Sequence, residues 1–399
     1  MSAYCRNRQT LKTLALLGAL AAAAFAIAFY RTTDWMASFP RDATTLAVGR
    51  DFLNSWMAGR AAHAPDPGRY YDLVTYNRAI AAVVGTGYPA QTWSYPPTQL
   101  LVAAPFGLLP YRLALVLWTL FGAAALFWAA RTVWRESRPA VFLFAAPAAL
   151  FCLMSGQSSF FTTALLIAGF VLLEKRPVVA GLLIGLLSLK PQLVLLMPVL
   201  LVAGRHWRTL ASAGVTTLAL AGATTALFGI EVWRDYIAHG LQAQVEVLVD
   251  TEIIATQAMP TIFTNLHLIG LSTAVAMAAQ AVFALGAGFC VFWAGRRKSD
   301  PALMATLFFA ASVSATPYLM AYDTLPLAMA GIWLLRTEDV DDVGRMLVKL
   351  VWWLPLVQMA RGHFHIPGAC LIAPGLGLWV MMRLAANRAA TPAPASAVD

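Results

Sequence analysis

The sequence predicts an all-α polytopic membrane protein, a bundle of about 12 transmembrane helices with a long first extracytoplasmic loop. Three observations predict it. The 399 residues are 60% hydrophobic and only 12% charged, with a mean hydropathy of +0.68; a soluble domain carries about 25% charged and about 45–50% apolar residues. Apolar runs of near-span length recur from end to end. Lys and Arg gather in every second connection. A globule of this size cannot bury so much apolar surface, and so apolar a chain does not stay disordered. In lipid every backbone polar group must be paired within the protein, which helices achieve on their own.

The net charge is +9. Its basic residues lie in small clusters between apolar runs, where the positive-inside rule places them, so the charge sets orientation and no nucleic-acid partner is implied. The four cysteines, Cys5, Cys152, Cys290 and Cys370, show neither CxxC nor Cys/His spacing. No disulfide framework, metal site or cofactor is expected.

The N-terminus carries Arg6, Arg8 and Lys12 before an apolar run to Tyr30. A signal peptide looks similar, but the polytopic remainder favours an uncleaved first span running outward. Residues 31–95 then form a long polar outer loop. The stretch 97–110 is too short to cross and holds Pro105, so it is read as a re-entrant or surface-lying helix. Further spans are expected near 112–131, 140–154, 158–173, 177–189, 192–204, 209–228, 272–294, 301–316, 323–335, 346–360 and 366–383, with 260–271 as a second re-entrant piece. Inner connections carry Arg131/Arg135/Arg138, Lys175-Arg176, Arg205/Arg208, Arg296-Arg297-Lys298, Arg336/Arg345 and Arg383/Arg388, whereas the outer turns around Gly156-Gln157 and Thr316-Pro317 have no Lys or Arg. Both termini are therefore expected in the cytoplasm. Residues 1–388 form one domain, and the Ala/Pro-rich tail 389–399 is expected to be disordered.

Three features point to a site on the outer side. The 31–95 loop is far longer than a connection of two to eight residues. It holds Arg50-Asp51-Phe52, Tyr70-Tyr71-Asp72 and, near its end, Trp93-Ser94-Tyr95-Pro96-Pro97. Interfacial belt anchoring accounts for Trp93 and Tyr95 but not for the loop's length. Lys190-Pro191-Gln192 sits at the outer end of two short apolar runs; Lys190 either snorkels to the interface or holds a lipid phosphate as a point charge. In the second case Lys190→Ala should weaken lipid-phosphate binding more than folding. Tyr322-Asp323 opens a span at the outer face, where Asp323 reads most simply as a helix N-cap. His363 and His365 have i, i+2 spacing without a nearby carboxylate, which does not make a metal site.

The order of these motifs resembles glycosyltransferase family 87. The resemblance rests on Asp51-Phe52-Leu53-Asn54-Ser55-Trp56, Tyr71-Asp72, Tyr95-Pro96-Pro97, Gly156-Gln157 and Lys190-Pro191, and spans residues 10–385. It implies the GT-C membrane fold and a polyprenyl-phosphate sugar donor. It also implies a hexosyl transfer, mannose foremost, onto a glycolipid or glycan acceptor at the outer face of a bacterial inner membrane. An inverting transfer needs one carboxylate to take the acceptor proton, and Asp51 lies in the segment matching the family's acidic motif. The alternative for Asp51 is capping of a helix starting near Phe52. Arg50, Tyr71, Asp72, Tyr95, Gln157, Lys190, Gln192, Tyr322 and Asp323 are the expected substrate-binding set, with Asp72 either fixing the loop or touching acceptor. Two competing functions are a transporter and a lipid-linked oligosaccharide ligase or polymerase. A transporter predicts repeats and midplane charges, which are scarce here; a ligase places its large outer loop later in the chain.

Overall fold

The computed structural model describes residues 3–389 except 36, 38, 43, 135, 136, 252, 253, 298 and 299. Arg135, Glu252, Lys298 and the tail beyond Ala389 lie outside the described residues. In chain order, α1 (Ala3–Thr32) leads to α2 (Phe52–Ala61), α3 (Leu73–Val84) and α4 (Gln99–Gly107). Next come α5 (Tyr111–Val133), α6 (Ser137–Phe142), α7 (Pro147–Ser155), α8 (Ser159–Leu172), α9 (Pro177–Leu186), α10 (Met197–Ala203) and α11 (Trp207–Phe228). A second elaborated connection holds α12 (Glu231–Asp235), α13 (Leu241–Val249), α14 (Ile254–Gln257) and α15 (Ile262–Leu268). The chain closes with α16 (Thr273–Gly295), α17 (Pro301–Ala315), α18 (Leu325–Thr337), α19 (Asp342–His363) and α20 (Ile372–Ala389). No strand occurs among the described residues, only two isolated bridges joining Arg41 to Asp34 and to Ala47.

Among the described residues six helices are long and apolar enough to cross a membrane: Cys5–Thr32, Tyr111–Val133, Trp207–Phe228, Thr273–Gly295, Asp342–His363 and Ala369–Ala386. The other expected spans are shorter helices. Prolines explain several of the breaks: Pro147 starts α7 after a 3₁₀ turn, and Pro191 opens another 3₁₀ turn before α10. The short α17 and α18 are apolar on all sides and almost wholly buried, which places them at the centre of the bundle. By contrast, α11 buries only Thr209 and Thr224. It is held to α9 by small residues: a Cβ added at Gly181 would lie 2.5 Å from Ser212 Cβ, and one at Gly185 would lie 2.5 Å from Thr216 Cβ. This small-xxx-small seam lets two backbones approach where lipid supplies no hydrophobic drive between helices.

Residues 31–95 are not the polar loop expected. They form α2, α3 and a 3₁₀ turn over Gly68–Tyr71, with their own core of Phe52, Leu53, Trp56, Tyr71, Tyr76 and Trp93. The stretch expected to be a re-entrant or surface-lying helix holds α4, which packs along α2 at backbone contact: a Cβ on Gly59 would sit 2.3 Å from the Ala103 carbonyl oxygen. Trp56 Nε1 donates to the Leu109 carbonyl at 2.9 Å, and the Tyr111 hydroxyl donates to the Val48 carbonyl at 2.7 Å, which fixes this unit to α5. Trp93 is buried at 2% exposure against Tyr71 and Tyr76, so it is a core residue and not a belt anchor.

At the opposite end, Asn7 Nδ2 donates to the Glu338 carbonyl at 2.9 Å, and buried Arg345 binds the Val340 carbonyl, Asn7 and Asp342. The start of α1 and the 336–345 connection therefore share one end of the bundle, as the charge pattern requires. With Cys5 removed, a cysteine at Asp66 is expected to react with a membrane-impermeant maleimide in intact cells, and one at exposed Glu174 only after permeabilisation. The opposite labelling pattern would reverse the topology.

Candidate active site

The N-terminal turn of α2, the turn between α7 and α8, the bend before α10 and the 3₁₀ turn before α18 meet at the end of the bundle that carries α2–α4. Between them lies a cavity of about 600 Å³, within the usual range for small-molecule sites of about 300–1,000 Å³. Eight of the expected residues line it: Arg50, Asp51, Tyr95, Gln157, Lys190, Gln192, Tyr322 and Asp323.

Local backbone geometry aims these side chains. Gly49 and Arg50 both have positive φ, +83° and +29°, and turn the chain so that Asp51 enters α2 facing the cavity. The Asp51 carboxylate makes no capping bond to α2. Capping is thus not its role. Gly156 ends α7 in the left-handed region at φ +61°, which points Gln157 back over Asp51. A Cβ there would lie 2.5 Å from Phe52 Cβ. Gly156→Ala is expected to destabilise by roughly 1–3 kcal/mol through backbone strain alone and to cut turnover by displacing Asp51, measured as melting temperature and initial rate.

A continuous polar chain crosses the site. Gln157 Nε2 donates to Asp51 Oδ2 at 2.9 Å, and the Tyr322 hydroxyl donates to the same oxygen at 3.3 Å. Gln157 Oε1 accepts from the Tyr95 hydroxyl at 3.0 Å and from Lys190 Nζ at 3.3 Å. Lys190 Nζ pairs with Asp323 Oδ1 at 3.1 Å, which also accepts from Ser159 Oγ at 2.6 Å. The ammonium lies 5.1 Å from the Tyr322 ring centroid.

This geometry corrects three readings. Lys190 is buried at 3% exposure and ion-paired, so it does not snorkel. Asp323 does not cap α18, since it belongs to the 3₁₀ turn Ala321–Thr324 and its carboxylate holds Lys190. Tyr71 and Asp72 do not line the cavity. Tyr71 supports it from behind, donating to the Tyr95 carbonyl at 2.7 Å, and Asp72 caps α3 by accepting from Thr75 N at 2.8 Å. The bonds from Thr75 hold the Asp72 carboxyl below its ordinary range.

Burial raises the Asp51 carboxyl above its ordinary value; the Gln157 and Tyr322 hydrogen bonds and the Lys190 and Arg50 charges oppose this only in part. Arg50 is engaged by Asp42 at 2.6 Å. For Asp42, burial is the largest influence and raises its pKa, but the Thr44 and Arg50 contacts outweigh it and hold the carboxyl low.

Several lining residues were not among the site residues expected from the sequence. Asn54, Gln91, Ser94 and Gln244 add amides and a hydroxyl to the lining, and Phe151, Met154, Leu189, Met320 and Met359 add apolar surface. Tyr236 opens a π-helical turn over Tyr236–Gly240 before α13, in the second elaborated connection. Such turns often accompany functional sites, and the length of that connection was the available signal. Ser159, the first residue of α8, lies two residues after Gln157, and that closeness was the available signal. Among the described residues no group of three or more His, Cys, Asp or Glu is placed to hold a metal ion.

The family model for glycosyltransferase family 87 matches residues 93–320, more than half of the 399-residue chain. Tyr95, Gln157, Lys190 and Gln192 lie within the match, whereas Asp51, Tyr322 and Asp323 lie outside it. No curated protein and no solved structure matches.

Proposed function

Because the chain belongs to glycosyltransferase family 87, and is therefore a membrane glycosyltransferase, we propose that it moves a hexose, mannose foremost, from a polyprenyl-phosphate sugar to a glycolipid or glycan acceptor. On this reading the transfer inverts the anomeric centre. The cavity opens on the extracytoplasmic side of a bacterial inner membrane. The observation that carries the reaction is one carboxylate, Asp51, that reaches the cavity without an ion-pair partner among the described residues, beside a second polar group set around Lys190. Family membership sets the transporter reading aside.

The chemistry needs little else. The acceptor hydroxyl oxygen attacks the anomeric carbon, the bond from that carbon to the phosphate oxygen breaks, and the hydroxyl proton passes to Asp51. The lipid phosphate departs with the bond's electron pair. It is a fair leaving group and needs charge stabilisation more than a proton, which Lys190 with Gln192 provides. The apolar lining residues suit the first isoprene units of the donor. The lining amides suit acceptor hydroxyls, since amides both donate and accept.

Purified protein in nanodiscs, offered a panel of polyprenyl-phosphate sugars and nucleotide sugars, tests the proposal. Transfer from a polyprenyl-phosphate hexose, read by mass spectrometry, with an inverted anomeric configuration by NMR, is expected. Transfer from nucleotide sugars alone, or with retention, would overturn it.

A further inference from the structure

We propose that Gln157, with Tyr322, is a positioning residue that holds the Asp51 carboxylate by one oxygen and reserves the other for the acceptor hydroxyl. The proposal rests on Asp51 being the base. Its ground is an asymmetry in the hydrogen bonds. Both donors end on Oδ2, at 2.9 and 3.3 Å, and Oδ1 has no partner among the described residues. A carboxylate held in this way cannot turn freely, and the open oxygen becomes the proton acceptor.

The orientation of the Gln157 amide is itself dictated. An amide offers an oxygen that only accepts and a nitrogen that only donates, and a lysine ammonium can only donate. Lys190 Nζ stands 3.3 Å from one end of the amide, so that end must be the oxygen. The nitrogen then has to face Asp51. Lys190 is in turn fixed by Asp323. The direction of donation therefore runs one way, from the buried ion pair through Gln157 to the base. Tyr95 donates to the same amide oxygen and reinforces it.

These bonds stabilise the ionised form of Asp51. Removing one should raise its pKa and move the acid limb of kcat/KM to higher pH. The charged and titratable groups around Asp51 are Arg50 on its own segment, Tyr88 and Tyr95 between α3 and α4, and Tyr111 on α5. Lys190 approaches from the bend before α10, and Tyr318, Tyr322 and Asp323 from the α17–α18 connection.

The test is the pH profile of kcat/KM for wild type, Tyr322→Phe, Gln157→Glu and Asp51→Asn in nanodiscs, with melting temperature as the folding control. Tyr322→Phe removes only the hydroxyl and keeps the ring beside Lys190. Its acid limb should rise by about one pH unit, the shift expected from losing one hydrogen bond to a charged group. Gln157→Glu still accepts from Lys190 and Tyr95 but sets a second carboxylate against Asp51, so its limb should rise further. Acid limbs that stay at the wild-type pH while kcat falls uniformly would overturn the proposal, and Tyr322→Phe alone decides if Gln157→Glu does not fold. Turnover retained by Asp51→Asn would instead refute the base assignment, a different failure with a different readout.

Discussion

Asp51→Asn is expected to fold, to bind donor and to lose turnover by about 10²–10⁴-fold, the usual contribution of a general base. Asparagine keeps the size of the side chain and leaves an oxygen to accept from Gln157 and Tyr322, so the polar chain survives. The helix loses nothing, because Asp51 makes no side-chain cap on α2. Nor do the other nearby acids offer a substitute. Asp42 is held by Arg50, Asp72 caps α3, and of the described acids only Asp51 and Asp323 line the cavity. Single-turnover rates set against binding of unreactive polyprenyl phosphate separate chemistry from affinity. Retained turnover would remove Asp51 from the mechanism.

The same substitution carries a stability signature. Burial holds the Asp51 pKa above its ordinary value of 3.8, so the folded state binds this proton more tightly than the unfolded chain. At pH above the raised pKa the ionised carboxylate costs stability, and that cost disappears as pH falls below 3.8. Asp51→Asn, neutral at every pH, should therefore melt no lower than wild type at neutral pH, and slightly higher. Activity follows the opposite course. Only the ionised form accepts a proton, so turnover falls as pH drops through an inflection above 3.8. A variant that is more stable and inactive is what a strained catalytic group predicts, whereas a structural Asp would give a less stable one.

How far the sequence reaches is clear from particular segments. The expected spans 209–228 and 272–294 differ by one or two residues from α11 and α16, because span-length apolar runs bounded by Gly, Arg and Ser leave little choice. The 31–95 segment was misread because its apolar residues are interleaved with Gly, Pro and Asp at no single period, and its core forms only when Trp118 of α5 and Val232 of α12 close over it. Lys190 and Asp323 were picked out by residue type near the expected span ends, and Asp51 and Gln157 by the motifs that carry the family resemblance. Their joining was not legible, since the contacts span 106, 33 and 133 positions and leave no local pattern. Taken singly, Lys190 reads either as snorkelling or as a point charge for a lipid phosphate, and Asp323 as a cap. Their pairing removes the snorkelling and the cap.

That pairing changes what replacement of Lys190 should do. The sequence alone led to an expectation that donor binding suffers more than folding. With Lys190 and Asp323 exposed by only 4% and 2% at their side chains, removing either partner leaves a buried, uncompensated charge, a loss of roughly 3–5 kcal/mol. Lys190→Met should thus be strongly destabilised whether or not Lys190 touches phosphate. The double variant Lys190→Met/Asp323→Asn removes both charges, keeps an acceptor for Ser159, and should recover most of the stability. It should still bind polyprenyl phosphate about 10–100-fold more weakly than wild type, as loss of a hydrogen bond to a charged group implies. Asp323→Asn is the informative third member. It leaves the Lys190 ammonium unpaired at the cavity, where a bound phosphate becomes its natural counter-ion. Polyprenyl phosphate should then raise the melting temperature of Asp323→Asn more than that of wild type, and that of the double variant least, because a ligand stabilises in proportion to its affinity for the folded state. Equal shifts in all three proteins would confine Lys190 to its ion pair and move the donor phosphate to Arg50.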